Sequence, residues 1–255
     1  MTRKELIQHA VIKAGEAILK ILPSEGVVEK IGRSDLLTAG DLASEKIIMD
    51  LIKANYPGDA ILSEETTTEI TDFLNLPALW VIDPIDGTNN FRYERHYSAI
   101  SIGYYENGVG LLGAIYNPFR NELFFAEKDH GAYLNKEKIH VGQNKIVEKS
   151  VVATDNSAFS EGTARNLKLL LQIEPTPLVL IKGSAVLIMA DVACGRVDLY
   201  FHTYLKPWDN AAAMILLQEA GAKICGLQGE EITFLSPNAI VGNGILVDQC
   251  VRFLT

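Results

Sequence analysis

Apolar side chains recur three and four residues apart over the first 22 positions, at Leu6, Ile7, Ala10, Val11, Ala14 and Ile18. Lys4, Glu5, Lys13, Glu16 and Lys20 fall between them. That spacing predicts an amphipathic helix near 3–22, and the interleaved charges exclude a signal peptide. A second helix is expected near 42–55, followed by a short strand near 60–63 and a buried strand at Leu79-Trp80-Val81-Ile82. Runs rich in strand formers follow near 97–105, 109–116 and 122–126. The pattern changes after a Lys/Asn/Gln-rich stretch at 135–149. From there strands near 150–154, 178–181, 197–201, 222–225 and 239–242 alternate with helices near 161–172, from Ser184 to Gly195, and near 209–220. Gly195 and Gly221 fall where left-handed residues close helices. The first half therefore reads as α+β with antiparallel hairpins and the second as alternating α/β. The polar stretch sets the expected division into an N-terminal α+β unit, 1–140, and a C-terminal α/β unit, 141–255.

One motif within this pattern is a decoy. Gly108-Val109-Gly110-Leu111-Leu112-Gly113 matches the G-x-G-x-x-G dinucleotide fingerprint. That fingerprint works only between a strand and a helix whose N-terminus holds a pyrophosphate. Here Asn107-Gly108 is a hairpin signal between two strand-forming runs, so a hairpin is expected.

Composition narrows the function. With 48% hydrophobic and 22% charged residues in 255, the chain is globular rather than disordered. A net charge of −9 offers no footprint for nucleic acid or an anionic membrane, and no run of 18 apolar residues suggests a transmembrane span. Three cysteines at wide spacing, Cys194, Cys225 and Cys250, suit neither a zinc ribbon nor a disulfide framework, so a cytoplasmic location is expected. The acidic balance still permits a phosphorylated substrate if bound cations reverse the local sign.

The densest chemistry lies in Leu79-Trp80-Val81-Ile82-Asp83-Pro84-Ile85-Asp86-Gly87-Thr88-Asn89-Asn90-Phe91. An apolar strand runs into two aspartates, and Pro84 pushes Asp83 toward extended geometry, so both carboxylates are expected on a stiff turn. Gly87 allows close backbone approach to a ligand, and Gly87-Thr88-Asn89 offers N–H groups at a helix start. Ser63-Glu64-Glu65-Thr66 adds two acids after a short strand. Asp41, in Thr38-Ala39-Gly40-Asp41, is expected as a helix N-cap. Asp209, in Pro207-Trp208-Asp209, also stands at a helix start, where capping and ligation are compatible.

These segments together resemble the inositol monophosphatase family of magnesium-dependent, lithium-sensitive phosphatases. The resemblance rests on Asp83–Phe91, on Trp208-Asp-Asn-Ala-Ala-Ala213 with Glu219-Ala-Gly221, on Ser63-Glu-Glu65, and on Asp35-Leu-Leu-Thr-Ala-Gly-Asp41. Gly183-Ser-Ala185 with Gly195-Arg-Val-Asp198 adds a fifth match. It implies a layered αβαβα sandwich of the inositol monophosphatase/fructose-1,6-bisphosphatase type, usually a homodimer. It also implies two or three Mg²⁺ ions held by Glu64, Asp83, the Ile85 carbonyl, Asp86 and Asp209. Thr88 and Asp41 match the pair that activates the attacking water, and Glu64 helps position it. Lys30 matches a basic residue near the outermost metal. The chemistry is consistent, because Mg²⁺ prefers oxygen ligands. Carboxylates ~5 Å apart repel by roughly 1–3 kcal/mol per pair without a cation.

On the substrate side the resemblance assigns Gly87, Thr88, Gly183, Ser184 and Ala185 to a small phosphorylated substrate. The family acid that binds inositol hydroxyls falls at His202, a departure, since neutral imidazole offers one donor and one acceptor. Lys206 is a candidate for charge support. The implied reaction is hydrolysis of an inositol-1-phosphate-like monoester. A 3′(2′),5′-bisphosphate nucleotidase or a histidinol-phosphate-type phosphatase is the alternative on the same fold. A moonlighting protein-binding role in transcription is a further one. Pro84 and Ile85 both separate the two aspartates, which excludes a haloacid-dehalogenase phosphatase. No Gly-Lys-Ser/Thr occurs, which excludes a P-loop.

Overall fold

Thr2 and Thr38 each cap a helix whose apolar stripe covers one face of a sheet, and this local grammar sets the N-terminal layer. The structure is a computed structural model describing residues 1–23, 26–30, 36–66, 71–156, 160–173 and 178–254. Asp35 of the Asp35–Asp41 motif lies outside the described residues. The N-terminal elements are α1 (Arg3–Ile18), β1 (Val28–Glu29), β2 (Leu36–Leu37), α2 (Ala39–Asn55), β3 (Ala60–Ser63), β4 (Leu79–Asp86) and α3 (Thr88–Arg92). A meander follows: β5 (Ala99–Glu106), β6 (Val109–Asn117), β7 (Glu122–Glu127), β8 (Gly131–Leu134) and β9 (Glu137–Ile139). Then come β10 (Val151–Thr154), α4 (Ser160–Leu170), β11 (Leu178–Ile181), α5 (Ala185–Ala193) and β12 (Leu199–His202). The chain finishes with α6 (Pro207–Glu219), β13 (Lys223–Cys225), β14 (Ala239–Gly242) and α7 (Gly244–Leu254).

Seven strands, β3 to β9 in chain order, form one sheet, and β11-β10-β12-β14-β13 form a second. Alternation along each strand selects its two partners. In β4 and β5, Trp80, Ile82, Ile100, Ile102 and Tyr104 pack against Leu6, Ile7, Val11, Ile48 and Ile52 of α1 and α2. Leu79, Val81, Ala99 and Tyr105 belong instead to the core shared with α5 and α6. On the far side of the second sheet, Leu199, Phe201 and Ile240 pack with Leu246, Val247 and Cys250 of α7, and α4 lies against β10. The result is the expected αβαβα sandwich. Its middle layer explains a feature of the sequence. Residues 186–193 of α5 and 210–217 of α6 are all buried, because helices between two sheets have no solvent face.

The decoy motif folds as a hairpin. Glu106 pairs with Val109, and Asn107 (φ 49°) and Gly108 (φ 77°) form the turn. Gly113 has a separate reason: a Cβ there would sit 2.7 Å from the Ala212 carbonyl, so its absence lets α6 approach the sheet.

Several boundaries differ from expectation. Helix α1 stops at Ile18 rather than near 22. Helix α2 begins at Ala39, with Thr38 rather than Asp41 as its N-cap, and Asp41 completes the capping box from the third position. Strand β9 falls inside the stretch that reads as polar and β8 lies just before it; α3 is a single five-residue turn, and α7, with Leu246, Val247 and Cys250 on one face, is a helix the pattern reading omits. Among the described residues no helix is long and apolar enough to cross a membrane.

Candidate active site

Parallel pairing of β3 with β4 sets Ser63 beside Ile82, and the Glu64 N–H extends the ladder to the Ile82 carbonyl (3.2 Å). Glu64 is thereby delivered next to Asp83. Strand β4 then continues through the Asp-Pro-Ile-Asp segment, so the two aspartates end a buried strand instead of occupying a turn. The continuation is irregular. Asp83 pairs with Ser101 and Asp86 with Ala99, three residues against two, which is a bulge. Pro84 fits there because a bulge needs no ladder N–H at that point. Its carbonyl accepts from the buried Ser44 hydroxyl (2.7 Å). The extra residue inverts the alternation: Ile85 joins the α1/α2 core although Val81, four residues earlier, faces α6. Asp83 and Asp86 are thus turned to one side.

Gly87 follows with φ +82° and starts α3. A Cβ there would lie 2.9 Å from the Gly183 carbonyl and 3.0 Å from that of Tyr97, so only glycine fits. Asp209 arrives from the start of α6, where Pro207 is the first helical residue and Asp209 Oδ2 accepts the Lys206 N–H (2.7 Å). Asp83, Asp86 and Asp209 each present a carboxylate oxygen, and the three oxygens lie within 4.8 Å of one another.

Burial, then Glu64 and Asp86, holds Asp83 well above the usual carboxylate range. Burial, then the charge of Asp86, does the same to Asp209. Burial pushes Asp86 up to about 7, opposed by the Ser184 hydroxyl, which donates to its Oδ2. Asp83 Oδ1 is buried with no hydrogen-bond partner. Three crowded carboxylates, one with an orphaned oxygen, form a donor set that suits a hard divalent cation.

Every residue expected at the site except Asp41 lines one cleft of about 620 Å³: Lys30, Glu64, Asp83, Ile85, Asp86, Gly87, Thr88, Gly183, Ser184, Ala185, His202, Lys206 and Asp209. Asp41 is fully buried behind Thr88. Thr88 Oγ1 lies 3.3 Å from Asp41 Oδ1 and 2.9 Å from the Ile85 carbonyl. Asp41 Oδ2 accepts from the Thr38 hydroxyl (2.6 Å) and N–H (2.7 Å), and burial pushes Asp41 up to about 6. Glu64 stands outside the close trio, and Lys30 Nζ bridges Glu64 (3.1 Å) and Glu65 (2.7 Å).

The His202 ring is fully engaged. The Tyr204 N–H donates to Nδ1 (3.0 Å), so the ring proton sits on Nε2, 3.3 Å from the Asn156 carbonyl. Burial, opposed by that bond to Asn156, lowers the imidazole to about 4. Sequence reasoning overlooked Asn90, whose amide donates to the carbonyls of Tyr97, Lys182 and Gly183 and ties α3 to the start of α5. It also overlooked Asp155, which lines the cleft just after β10. The available signal was an acid at the end of an apolar strand, the feature that marked Asp83.

A profile of the inositol monophosphatase family matches residues 2–252. The inositol-1-monophosphatase of Bacillus subtilis is 34% identical over 254 residues, covering 97% of this chain and 94% of that protein. A protein of Xylella fastidiosa named Nus factor SuhB is 36% identical over 233 residues, covering 89% and 82%. A solved structure of a Thermotoga maritima IMPase superposes with a TM-score of 0.90 at 34% identity, covering 100% of this chain and 97% of that one. With the acidic trio, the cleft and the sandwich in agreement, the chain belongs to the inositol monophosphatase family and is a phosphoric monoester hydrolase.

Proposed function

We propose that this enzyme is Mg²⁺-dependent and hydrolyses a small phosphorylated alcohol of the inositol 1-phosphate kind. The observation that carries the reading is the convergence of Asp83, Asp86 and Asp209 within 4.8 Å beside the Thr88–Asp41 pair. Asp83, Asp86 and Asp209 would hold two or three Mg²⁺ ions, with Glu64 and the Ile85 carbonyl at the edge of the set. Bound there, Mg²⁺ supplies positive charge that attracts the phosphate and offsets charge developing on the leaving oxygen.

The remaining steps belong to the chain itself. Thr88 Oγ1 holds the attacking water and passes its proton to Asp41 Oδ1. Asp41 suits that task, because its other oxygen is pinned by Thr38 and its acidity is weakened to about 6. Glu64, steadied by Lys30, helps orient the water. Gly87 and Thr88 N–H groups steady the phosphate, and Gly183, Ser184, Ala185 and His202 wall the alcohol part. Lys206, at the start of α6, adds positive charge at the rim.

The test is phosphate release from a panel: inositol 1-phosphate, fructose bisphosphate, histidinol phosphate and adenosine 3′,5′-bisphosphate. Expected is turnover with Mg²⁺, abolished by EDTA, and highest on inositol 1-phosphate. Preference for the bisphosphonucleotide or histidinol phosphate would move the reading to those alternatives. A further role in transcription has one observation in its favour, the name of the Xylella fastidiosa relative. The proposal includes lithium sensitivity and a cytoplasmic location, in keeping with three free cysteines. It also includes a homodimer. Edge strand β11 exposes Leu178, Val179 and Ile181, which supports self-association, and light scattering gives the mass.

A further inference from the structure

Strands β10 and β12 run parallel, with Val152 beside Leu199 and Ala153 beside Tyr200. The Thr154 hydroxyl reaches the Phe201 carbonyl (2.9 Å), so the strands reach the cleft side by side, as Asp155 and His202. The two residues differ in what they have left to offer. Both nitrogens of His202 are taken by backbone groups. Asp155 is 4% exposed, and its Oδ1 accepts the N–H groups of Asn156 (2.8 Å) and Gly183 (2.9 Å). Its Oδ2 is buried with no hydrogen-bond partner, and Asp155 forms no ion pair among the described residues. The backbone N–H of Ser184 also faces this carboxylate, yet Oδ2 makes no hydrogen bond among the described residues, and an orphaned carboxylate oxygen is costly to keep.

The position fits a substrate contact. Asp155 holds the N–H of Gly183, and Asp86 Oδ2 accepts from the Ser184 hydroxyl and the Val186 N–H (3.0 Å). The 183–186 segment is thus held by both Asp86 of the acidic trio and Asp155, and both carboxylates line the cleft. Lys206 also lines the cleft and disfavours a second cation there, so a neutral donor is the better match.

We infer that Asp155 Oδ2 accepts hydrogen bonds from the hydroxyl groups of the alcohol part of the substrate, so that Asp155, rather than His202, reads a polyol. The inference rests on the phosphomonoesterase reading above. The experiment compares kcat and KM of the wild type and Asp155→Asn, with Mg²⁺, on inositol 1-phosphate and on phenyl phosphate, which has no hydroxyl groups. Asparagine keeps Oδ1 for the two backbone N–H groups and replaces the free acceptor with a donor. Expected is a rise in KM for inositol 1-phosphate of about tenfold or more, with kcat/KM for phenyl phosphate unchanged within about twofold. Equal losses on both esters, or no change on either, would overturn it. So would a selective loss on histidinol phosphate, which would mark an ammonium contact. A wild type inactive on both esters would instead overturn the phosphomonoesterase reading itself.

Discussion

Asp83 keeps one buried oxygen that no group among the described residues satisfies, while Glu64, Asp86 and Asp209 press charge on it. Asp83→Asn should therefore act in two directions. With Mg²⁺, turnover should fall by at least about 10³-fold, since a ligand of the proposed cation site is lost. In EDTA the same variant should melt at or above the wild-type temperature, because a repulsion of about 1–3 kcal/mol per pair is relieved. Near-wild-type phosphate release by the variant would remove Asp83 from the ligand set. His202 has a pH signature of its own. Its folded value of about 4 lies below the unfolded value of about 6.5, so below pH 6.5 the unfolded chain takes up a proton that the folded chain refuses. Its contribution is complete above pH 6.5 and is lost as pH falls toward 4, by about 3 kcal/mol in all. Urea unfolding between pH 4 and 7 should show a steeper acid loss for the wild type than for His202→Gln, and equal slopes would exclude the effect.

Among the elements, β4 and α6 do most to build the site, and they differ in how openly the sequence declares them. Strand β4 is apolar enough to identify, but its bulge is not, because the extra residue shows only when the strand is paired with β5. The two aspartates thus read as a turn from sequence, although residue type and spacing already mark both as candidate metal ligands. Thr38 was overlooked as a cap for a similar reason. The cap and the third helical residue both offer an oxygen that can accept from backbone N–H groups, and only geometry separates them. Strands β8 (Gly-Ala-Tyr-Leu) and β9 (Glu-Lys-Ile) are only four and three residues long, too short for alternation to mark them. The largely apolar runs of α5 and α6 are legible as helices, yet that both faces are covered follows only from having two sheets. Close packing of α6 gives an element-scale test. Gly113→Ala would set a methyl group 2.7 Å from the Ala212 carbonyl and should cost about 1–3 kcal/mol in urea unfolding. Gly58→Ala, with nothing within 4 Å, should be near neutral.

In the whole molecule, the cleft draws Asp83 and Asp86 from one sheet, Ser184 and Asp209 from the middle helices, and His202 from the other sheet. A cation bound by Asp83, Asp86 and Asp209 couples the seven-stranded sheet to the middle helix layer. Mg²⁺ at 100 times its dissociation constant should raise global stability by about 2.7 kcal/mol. The thermal midpoint should rise with Mg²⁺ and return with EDTA, and a midpoint indifferent to Mg²⁺ would argue against the site. The formal charge of −9 describes the protein without cations. Two Mg²⁺ ions would bring it to about −5, and three to about −3.

The double-sided burial of α5 and α6 also has a consequence for solvent exchange. The outer helices α1, α4 and α7 can fray into water while the rest of the sandwich holds. No local opening frees the amides of 210–217, because both sheets cover them. In deuterium those amides should be the last to exchange, at the rate of global unfolding. Asp209, near the start of the same helix, would then keep its place through every partial opening of the molecule.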